Sequence, residues 1–131
     1  MYFDLLRRFR KDQDGTATIE SLLWMPIFFF LFILITDVSF LFYGKAQTLR
    51  IIQDGNRAYS VHLFDTDAEA SAYIQGQIRV FSPQATVITT VTNGIIQTSA
   101  TLPASDLMAV GTIPNFVSSE ISVTSQQFME D

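Results

Sequence analysis

The residues that could perform acid–base or metal chemistry are few, and they lie close together near the middle of the chain. His62 is the only histidine, and cysteine is absent. Asp65, Asp67 and Glu69 follow at alternate positions, but this segment lacks the glycine and the length of a calcium-binding loop. A metal site usually takes several histidine, cysteine or carboxylate ligands, so we expect none here. The acidic residues are better interpreted as the start of a helix.

Other kinds of chemistry have no better support. The serines show no nucleophile-elbow glycine pattern and no credible serine–histidine–aspartate set, and glycine-rich phosphate loops are missing. The sequence therefore predicts no catalytic residue, no cofactor and no small-molecule substrate. The net charge of −5 argues against nucleic acid as a partner, because phosphate binding needs clustered lysine and arginine.

One carboxylate occupies an unusual position, at the leading edge of a strongly apolar segment. The chain reads DQDGTATIESLLWMPIFFFLFILI from Asp12, with Glu20 five positions after Gly15. A charged carboxylate at the centre of a bilayer costs about 2.5–3.5 kcal/mol on insertion scales, so the position needs a physical reason. Taken alone, Glu20 could be a first-turn carboxylate that favours the helix dipole. Asp37, toward the other end of the segment, is interpreted as an interfacial residue or as a contact with a neighbouring helix.

The apolar segment itself predicts a membrane-spanning helix. Residues 22–43 contain one charge and one proline, and as a helix they would extend about 33 Å, enough to cross a hydrocarbon core of roughly 30 Å. A buried helix of a soluble protein is the alternative, but nothing else in the chain is apolar enough to surround such a helix. We therefore expect residues 19–43 to hold the chain in a membrane.

The flanking charges predict the orientation of this helix. Four basic residues precede it closely: Arg7, Arg8, Arg10 and Lys11. The positive-inside rule then places the N-terminus in the cytoplasm and the rest of the chain on the other side. A cleavable secretory signal is the competing interpretation, but the apolar segment is too long for one and GKAQ after Tyr43 is a poor cleavage site.

The start of the chain resembles the processing site of type IV prepilins and pseudopilins. Such a site has a basic leader, a glycine, a small residue, a glutamate and an apolar helix, here the leader before Gly15, then Thr16, Glu20 and the apolar segment. The stretch G-T-A-T-I-E-S-L-L-W-M-P is similar to the start of the TadE-like family, minor pseudopilins of tight-adherence (Flp) pilus systems. Gly15, Ala17, Glu20 and Pro26 fall on that family's pattern, and the resemblance covers roughly residues 14–43. It implies cleavage after Gly15 by a prepilin peptidase, with Thr16 as the new N-terminus.

The resemblance also implies partners and a location. It points to a single-pass protein of the bacterial inner membrane that contacts lipid, other pilins or pseudopilins, and the pilus assembly platform. Glu20 would then meet the new α-amino group of a neighbouring subunit, and Asp37 is a second candidate intersubunit contact. Pro26 cannot donate to the carbonyl of Leu22, which predicts a kink. The alternatives are an uncut membrane protein whose head binds a cell-envelope partner and, third, an anchored enzyme.

Beyond the apolar segment, the periodicity stays helical. The pattern predicts that the membrane helix continues to about His62, with a bend favoured at Gly55 because glycine costs about 1 kcal/mol relative to alanine. Thr66 and Glu69 have capping-box spacing, so a second helix should begin near Asp67 and run to about Val80.

The period then changes to two. Residues 86–92 and 95–102 flank Asn93-Gly94, which predicts a hairpin with a type I′ turn. Residues 104–117 are expected to form a loop, and residues 120–128 alternate again and predict a third strand.

The predicted chain is α+β. A basic leader of residues 1–15 is cleaved by the prepilin peptidase, and residues 16–62 form the transmembrane helix and its extension. Residues 63–131 form a pilin-like periplasmic head with a second helix and a three-stranded antiparallel sheet. The sequence assigns the processed chain the role of a structural subunit and not of an enzyme.

Overall fold

The computed structural model describes residues 14–112 and 118–130 of the chain. In these residues the helices are α1 (Asp14–Ser60) and α2 (Asp67–Ile78), and the strands are β1 (Thr86–Thr92), β2 (Ile95–Pro103) and β3 (Glu120–Phe128), with a 3-10 helix at Ala104–Leu107. The predicted α+β class and the predicted order of elements are confirmed. The chain divides into two compact units, which we call the apolar unit (residues 1–35, described from residue 14) and the head unit (residues 36–131).

In the apolar unit, the described residues form the first part of α1. Their large apolar side chains are exposed on every side of the helix, and no residue from 15 to 35 is buried. The helix is long and apolar enough to cross a membrane, by length and composition. Exposure of this kind does not fit the core helix of a soluble protein, whose apolar surface would be covered. Helix α1 continues through Pro26, and the kink expected there stays a prediction.

In the head unit, α1 buries one face. The buried positions begin at Asp37 and are separated mostly by three, four or seven residues, as one face of a helix requires: Asp37, Gly44, Thr48, Ile52, Gly55, Asn56, Tyr59 and Ser60. Ile52 packs with Ile74 and Ile78 of α2 in the main core cluster, which also includes side chains from all three strands. The packing of the head therefore includes α1 residues well before position 63, where the sequence analysis expected the head to begin.

The sheet is antiparallel in the order β1-β2-β3. Val87, Ala100 and Val123 lie side by side in its register and form part of the main core cluster, while Ile88 lies exposed on the other face. Asn93 and Gly94 both have positive φ, 53° and 74°, which is the geometry of a type I′ turn. The predicted hairpin and third strand are confirmed.

Two boundaries and one element differ from the sequence-based expectations. Helix α1 ends at Ser60, two residues before His62, and α2 ends at Ile78, two residues before Val80. The segment 104–117 contains a 3-10 helix where only loop was expected. There the Ser82 hydroxyl donates to Asp106 at 2.6 Å, and buried Leu107 packs beside Gly44. Residues 113–117 of that segment lie outside the described residues.

Candidate functional site

The predicted processing site lies among the first residues of α1 that the structure describes. Gly15 and Thr16 are both part of this helix, so the peptide bond between them is helical and not extended. Glycine within a helix costs about 1 kcal/mol relative to alanine, which weakens the helix at this position. The basic leader residues Arg7, Arg8, Arg10 and Lys11 lie outside the described residues.

Gly15 has no packing role in the described part of the chain. A Cβ atom built on Gly15 meets nothing within 4 Å, whereas the same atom on Gly55 would lie 2.3 Å from Cγ1 of Ile74. The close approach of α2 therefore explains why a glycine occupies position 55, but no neighbouring element among the described residues explains the glycine at position 15. The sequence analysis had interpreted Gly55 as a weak point of the helix, and α1 runs through it without a break.

The Glu20 carboxylate is exposed on the surface of α1, beside a shallow groove. The groove is lined by Ala17, Glu20, Ser21, Trp24 and Phe28. The Ser21 hydroxyl donates to the carbonyl of Ala17 at 2.9 Å, and the Trp24 and Phe28 rings lie 6.5 Å apart. Among the described residues, no side chain is seen to pair with Glu20. An acceptor of this kind at the edge of an apolar helix is suited to a cationic partner outside the chain.

The Asp37 carboxylate, by contrast, finds its hydrogen-bond donors within the same chain. It is 2% exposed, and its two carboxylate oxygens accept hydrogen bonds from the backbone N–H groups of Val110 and Thr112, both at 2.8 Å. The Thr112 hydroxyl donates to the second oxygen as well. The contact with a neighbouring subunit that the sequence suggested for Asp37 stays a prediction, and in this conformation its carboxylate serves the fold of the head unit.

His62 lies two residues after the last residue of α1, and its backbone terminates the helix. Its φ of 62° is left-handed, and its N–H donates to the carbonyl of Tyr59, while the N–H of Leu63 donates to the carbonyl of Ala58. This pair of bonds is a Schellman motif, in which glycine is the usual residue at the left-handed position. No group of histidine, cysteine and carboxylate side chains that could hold a metal ion occurs in residues 14–112 and 118–130.

The acidic residues after His62 start α2, as expected. Thr66 caps the helix, its side chain accepting from the N–H of Glu69 at 3.2 Å, and Glu69 in turn accepts from the N–H of Asp65. The Tyr59 hydroxyl donates to Asp67 at 2.5 Å. This hydrogen bond, together with burial and the charges of Asp67 and Glu69, raises the pKa of Tyr59 to about 12. These groups therefore stabilise the junction of the two helices.

Two features of the head unit escaped the sequence analysis. The glycines Gly44 and Gly55 both allow close packing: a Cβ on Gly44 would lie 2.5 Å from Cδ2 of Leu107. Their separation of eleven residues, about three helical turns, places them on one face and was the available signal. Asn56 is buried, accepts from Thr98 at 2.5 Å and donates to the carbonyl of Ser125 at 3.4 Å. No local pattern marked it.

Comparison with known proteins gives one match. Residues 15–55 match the model of the family described as TadE-like protein. The match begins at Gly15, includes Glu20 and Pro26, and ends at Gly55, so it confirms the resemblance first noted in residues 14–43 and extends it along α1. No curated protein and no solved structure matches the chain significantly. The family is structural and is associated with Tad pili, which together with the long apolar helix indicates a membrane-anchored protein of such a system.

Proposed function

From the match of residues 15–55 to the TadE-like family, we propose that this chain is a minor pseudopilin, a structural subunit for the assembly of Flp (tight-adherence) pili. Helix α1 inserts in the bacterial inner membrane with the N-terminus in the cytoplasm and the head unit in the periplasm. A prepilin peptidase removes residues 1–15, and the processed subunit joins other pilins or pseudopilins on the assembly platform.

The observation that carries this proposal is that the family match and the exposed apolar helix occupy the same part of the chain. The family match starts at Gly15, and the exposed apolar surface of α1 follows directly. Gly15 has no packing role among the described residues, so a peptidase that needs an unobstructed backbone gives the glycine a reason that the fold does not.

Glu20 fits the same mechanism. Cleavage after Gly15 would place a positive α-amino group on Thr16, close to the edge of the bilayer. In an assembled filament, the exposed Glu20 carboxylate of one subunit would pair with this amine on a neighbour. The cost of placing the carboxylate near lipid would then be offset by a charge-assisted hydrogen bond between subunits.

Mass spectrometry of the protein purified from membranes tests the processing step. In cells with an active prepilin peptidase, we expect a mature chain that begins at Thr16. The Gly15→Leu variant should keep its leader, while Gly76→Leu should be cut normally, because Gly76 is an exposed helical glycine that also has nothing within 4 Å of its Cβ position. A wild-type chain that retains residues 1–15 would instead support an uncut membrane protein whose head binds a cell-envelope partner.

A second experiment addresses assembly. Glu20→Gln keeps the size of the side chain and removes its charge, so the variant should insert and be processed but reduce pilus output. Ser21→Ala is the matched control, since Ser21 is the next exposed residue and its hydroxyl bonds only to its own helix at Ala17. Normal pilus output from Glu20→Gln would contradict the pairing of Glu20 with the amine.

A further inference from the structure

A short segment of the head unit fastens onto α1 where the uncharged part of that helix ends. We call residues 107–112 the Asp37 loop. Both carboxylate oxygens of Asp37 accept hydrogen bonds from this loop. The donors are the backbone N–H groups of Val110 and Thr112 and the Thr112 hydroxyl. Gly111 between them has a φ of 75°, a left-handed conformation that glycine adopts without strain. This turn lets the backbone N–H groups on either side of Gly111 donate to the same carboxylate, that of Asp37.

The Asp37 loop runs along α1 toward its N-terminal end. Leu107 contacts the helix at Gly44, and Val110 contacts it at Asp37, seven residues earlier. Seven residues of helix correspond to about 10 Å. The loop therefore brings Val110 to the part of α1 that adjoins the uncharged residues.

The spacing of the two carboxylates places Asp37 at or just inside the boundary of the hydrocarbon. Residues 21–36 carry no charge, and Glu20 and Asp37 are 17 residues apart. As a helix, this separation is about 26 Å, which is less than the roughly 30 Å of a hydrocarbon core. With Glu20 at one edge of the bilayer, Asp37 lies no farther out than the opposite edge. A carboxylate there needs donors from the protein, and those donors must reach the same depth.

The exposed side chains of the Asp37 loop suit that depth. The loop reads LMAVGT and has no charged residue. Val110 is 67% exposed and Ala109 is exposed as well, while Leu107 is buried against the head. Asp106, the charge that precedes the loop, accepts a hydrogen bond from Ser82. An exposed valine would gain from burial in acyl chains and gains nothing in water.

We propose that the Asp37 loop is a lipid-contacting element of the head unit, in which Asp37 holds Val110 in the boundary layer between headgroups and acyl chains. The partner is the surface of the leaflet on the head's side of the membrane. The inference rests on the proposed insertion of α1 and adds a second, non-helical membrane contact to it.

Spin labels at single cysteines can test this in vesicles, because the chain has no cysteine of its own. Labels are placed in the full chain by Val110→Cys, Phe29→Cys or Ile88→Cys, all at exposed side chains. Molecular oxygen concentrates in the acyl region and a nickel chelate stays in water, so the ratio of the two collision rates reports depth. We expect the Phe29→Cys label to favour oxygen strongly, the Ile88→Cys label to favour nickel, and the Val110→Cys label to favour oxygen over nickel.

The controls separate this inference from the proposed function. A Phe29→Cys label that favours nickel would show that α1 is not inserted, and both proposals would fail. Inserted Phe29→Cys together with a Val110→Cys label as nickel-accessible as Ile88→Cys would overturn the lipid contact and leave the pseudopilin proposal intact.

A second variant tests the holding role of Asp37. Asp37→Ala removes the acceptor for all three donors, so the Val110→Cys label should shift toward the nickel accessibility of Ile88→Cys. Asp54→Ala removes an exposed carboxylate from the same helix and should leave the label unchanged. An unchanged label in Asp37→Ala would show that the loop stays in place without Asp37 and would overturn that role.

Discussion

The two stretches of α1 differ in which side chains they bury. Residues 15–35 are rich in leucine, isoleucine and phenylalanine, and none of them is buried. From Asp37 to Ser60 the buried face consists mostly of small or polar residues, with Ile52 as its one large aliphatic side chain. Along α1, therefore, the most apolar stretch is not the one that packs into the core. The large apolar side chains of residues 15–35 stay exposed, whereas small residues such as Gly44 and Gly55 allow Leu107 of the Asp37 loop and Ile74 of α2 to approach the helix.

The contrast is sharpest in the response to deleting a large apolar side chain on either stretch. Ile52 is 0% exposed and packs in the main core cluster, so Ile52→Ala should lower the free energy of unfolding of the head by about 2–5 kcal/mol. Phe29 is 62% exposed, and Phe29→Ala should change it by less than about 0.5 kcal/mol. Amide hydrogen exchange of the head in detergent micelles measures both. Equal losses in the two variants would mean that the apolar unit also packs into the core.

Glycine substitutions examine the same contrast at closer range. Gly55→Ala places a Cβ 2.3 Å from Cγ1 of Ile74, a fully buried side chain with little room to move, so the head should lose about 1–3 kcal/mol. Gly76→Ala, with nothing within 4 Å, should instead gain up to about 1 kcal/mol from helix propensity. Urea unfolding followed by circular dichroism gives the two signs. Stabilisation by Gly55→Ala would show that Gly55 is not a packing glycine.

Local patterns predicted most of the fold. The Thr66–Glu69 spacing, the Asn93-Gly94 turn and the alternation in residues 86–92 each depend on neighbours within a few residues, and each appears in the structure. The processing motif was equally local, because Gly15 and Glu20 are five positions apart. The family match over residues 15–55 supports its recognition from the sequence.

What the sequence did not predict depends on distant partners. The backbone groups that donate to Asp37 lie 73 and 75 positions away, in a segment whose apolar residues follow neither a helical nor a strand period. Gly55 was interpreted as a weak point because propensity acts through the helix alone, whereas its role depends on Ile74 in another helix. Asn56 is buried among donors and acceptors on β2 and β3. These contacts exist only after the sheet and α2 have packed on α1.

The two stretches of α1 should also respond differently to high pH. In the folded head the pKa of Tyr59 is raised to about 12, first by its hydrogen bond to Asp67 and then by burial and nearby charge. A raised pKa means that the folded state favours the neutral phenol. Its stabilisation, about 1.5 kcal/mol for a hydrogen bond to a charged group, is therefore complete below pH 10 and is lost as the pH rises through 12.

The measurement compares wild type with Tyr59→Phe in urea at pH 9 and pH 12. The difference in the free energy of unfolding should be present at pH 9 and largely gone at pH 12. Residues 15–35 contain no tyrosine, lysine, arginine or cysteine, so the helicity of this stretch of α1 should not respond over this range. A difference between wild type and Tyr59→Phe that stays constant with pH would exclude the Asp67 bond as its cause.

The smallest expected effect lies where α1 ends. His62 adopts a left-handed conformation that costs a non-glycine residue roughly 1 kcal/mol, and the Schellman bonds to Tyr59 and Ala58 use only backbone atoms. His62→Gly should therefore raise the free energy of unfolding of the head by about 0.5–1 kcal/mol, whereas His62→Ala should leave it nearly unchanged. Both variants should assemble pili normally, because the imidazole has no role in the proposed function. Loss of assembly in His62→Gly without loss of stability would give this histidine a task that its position as a helix terminator does not explain.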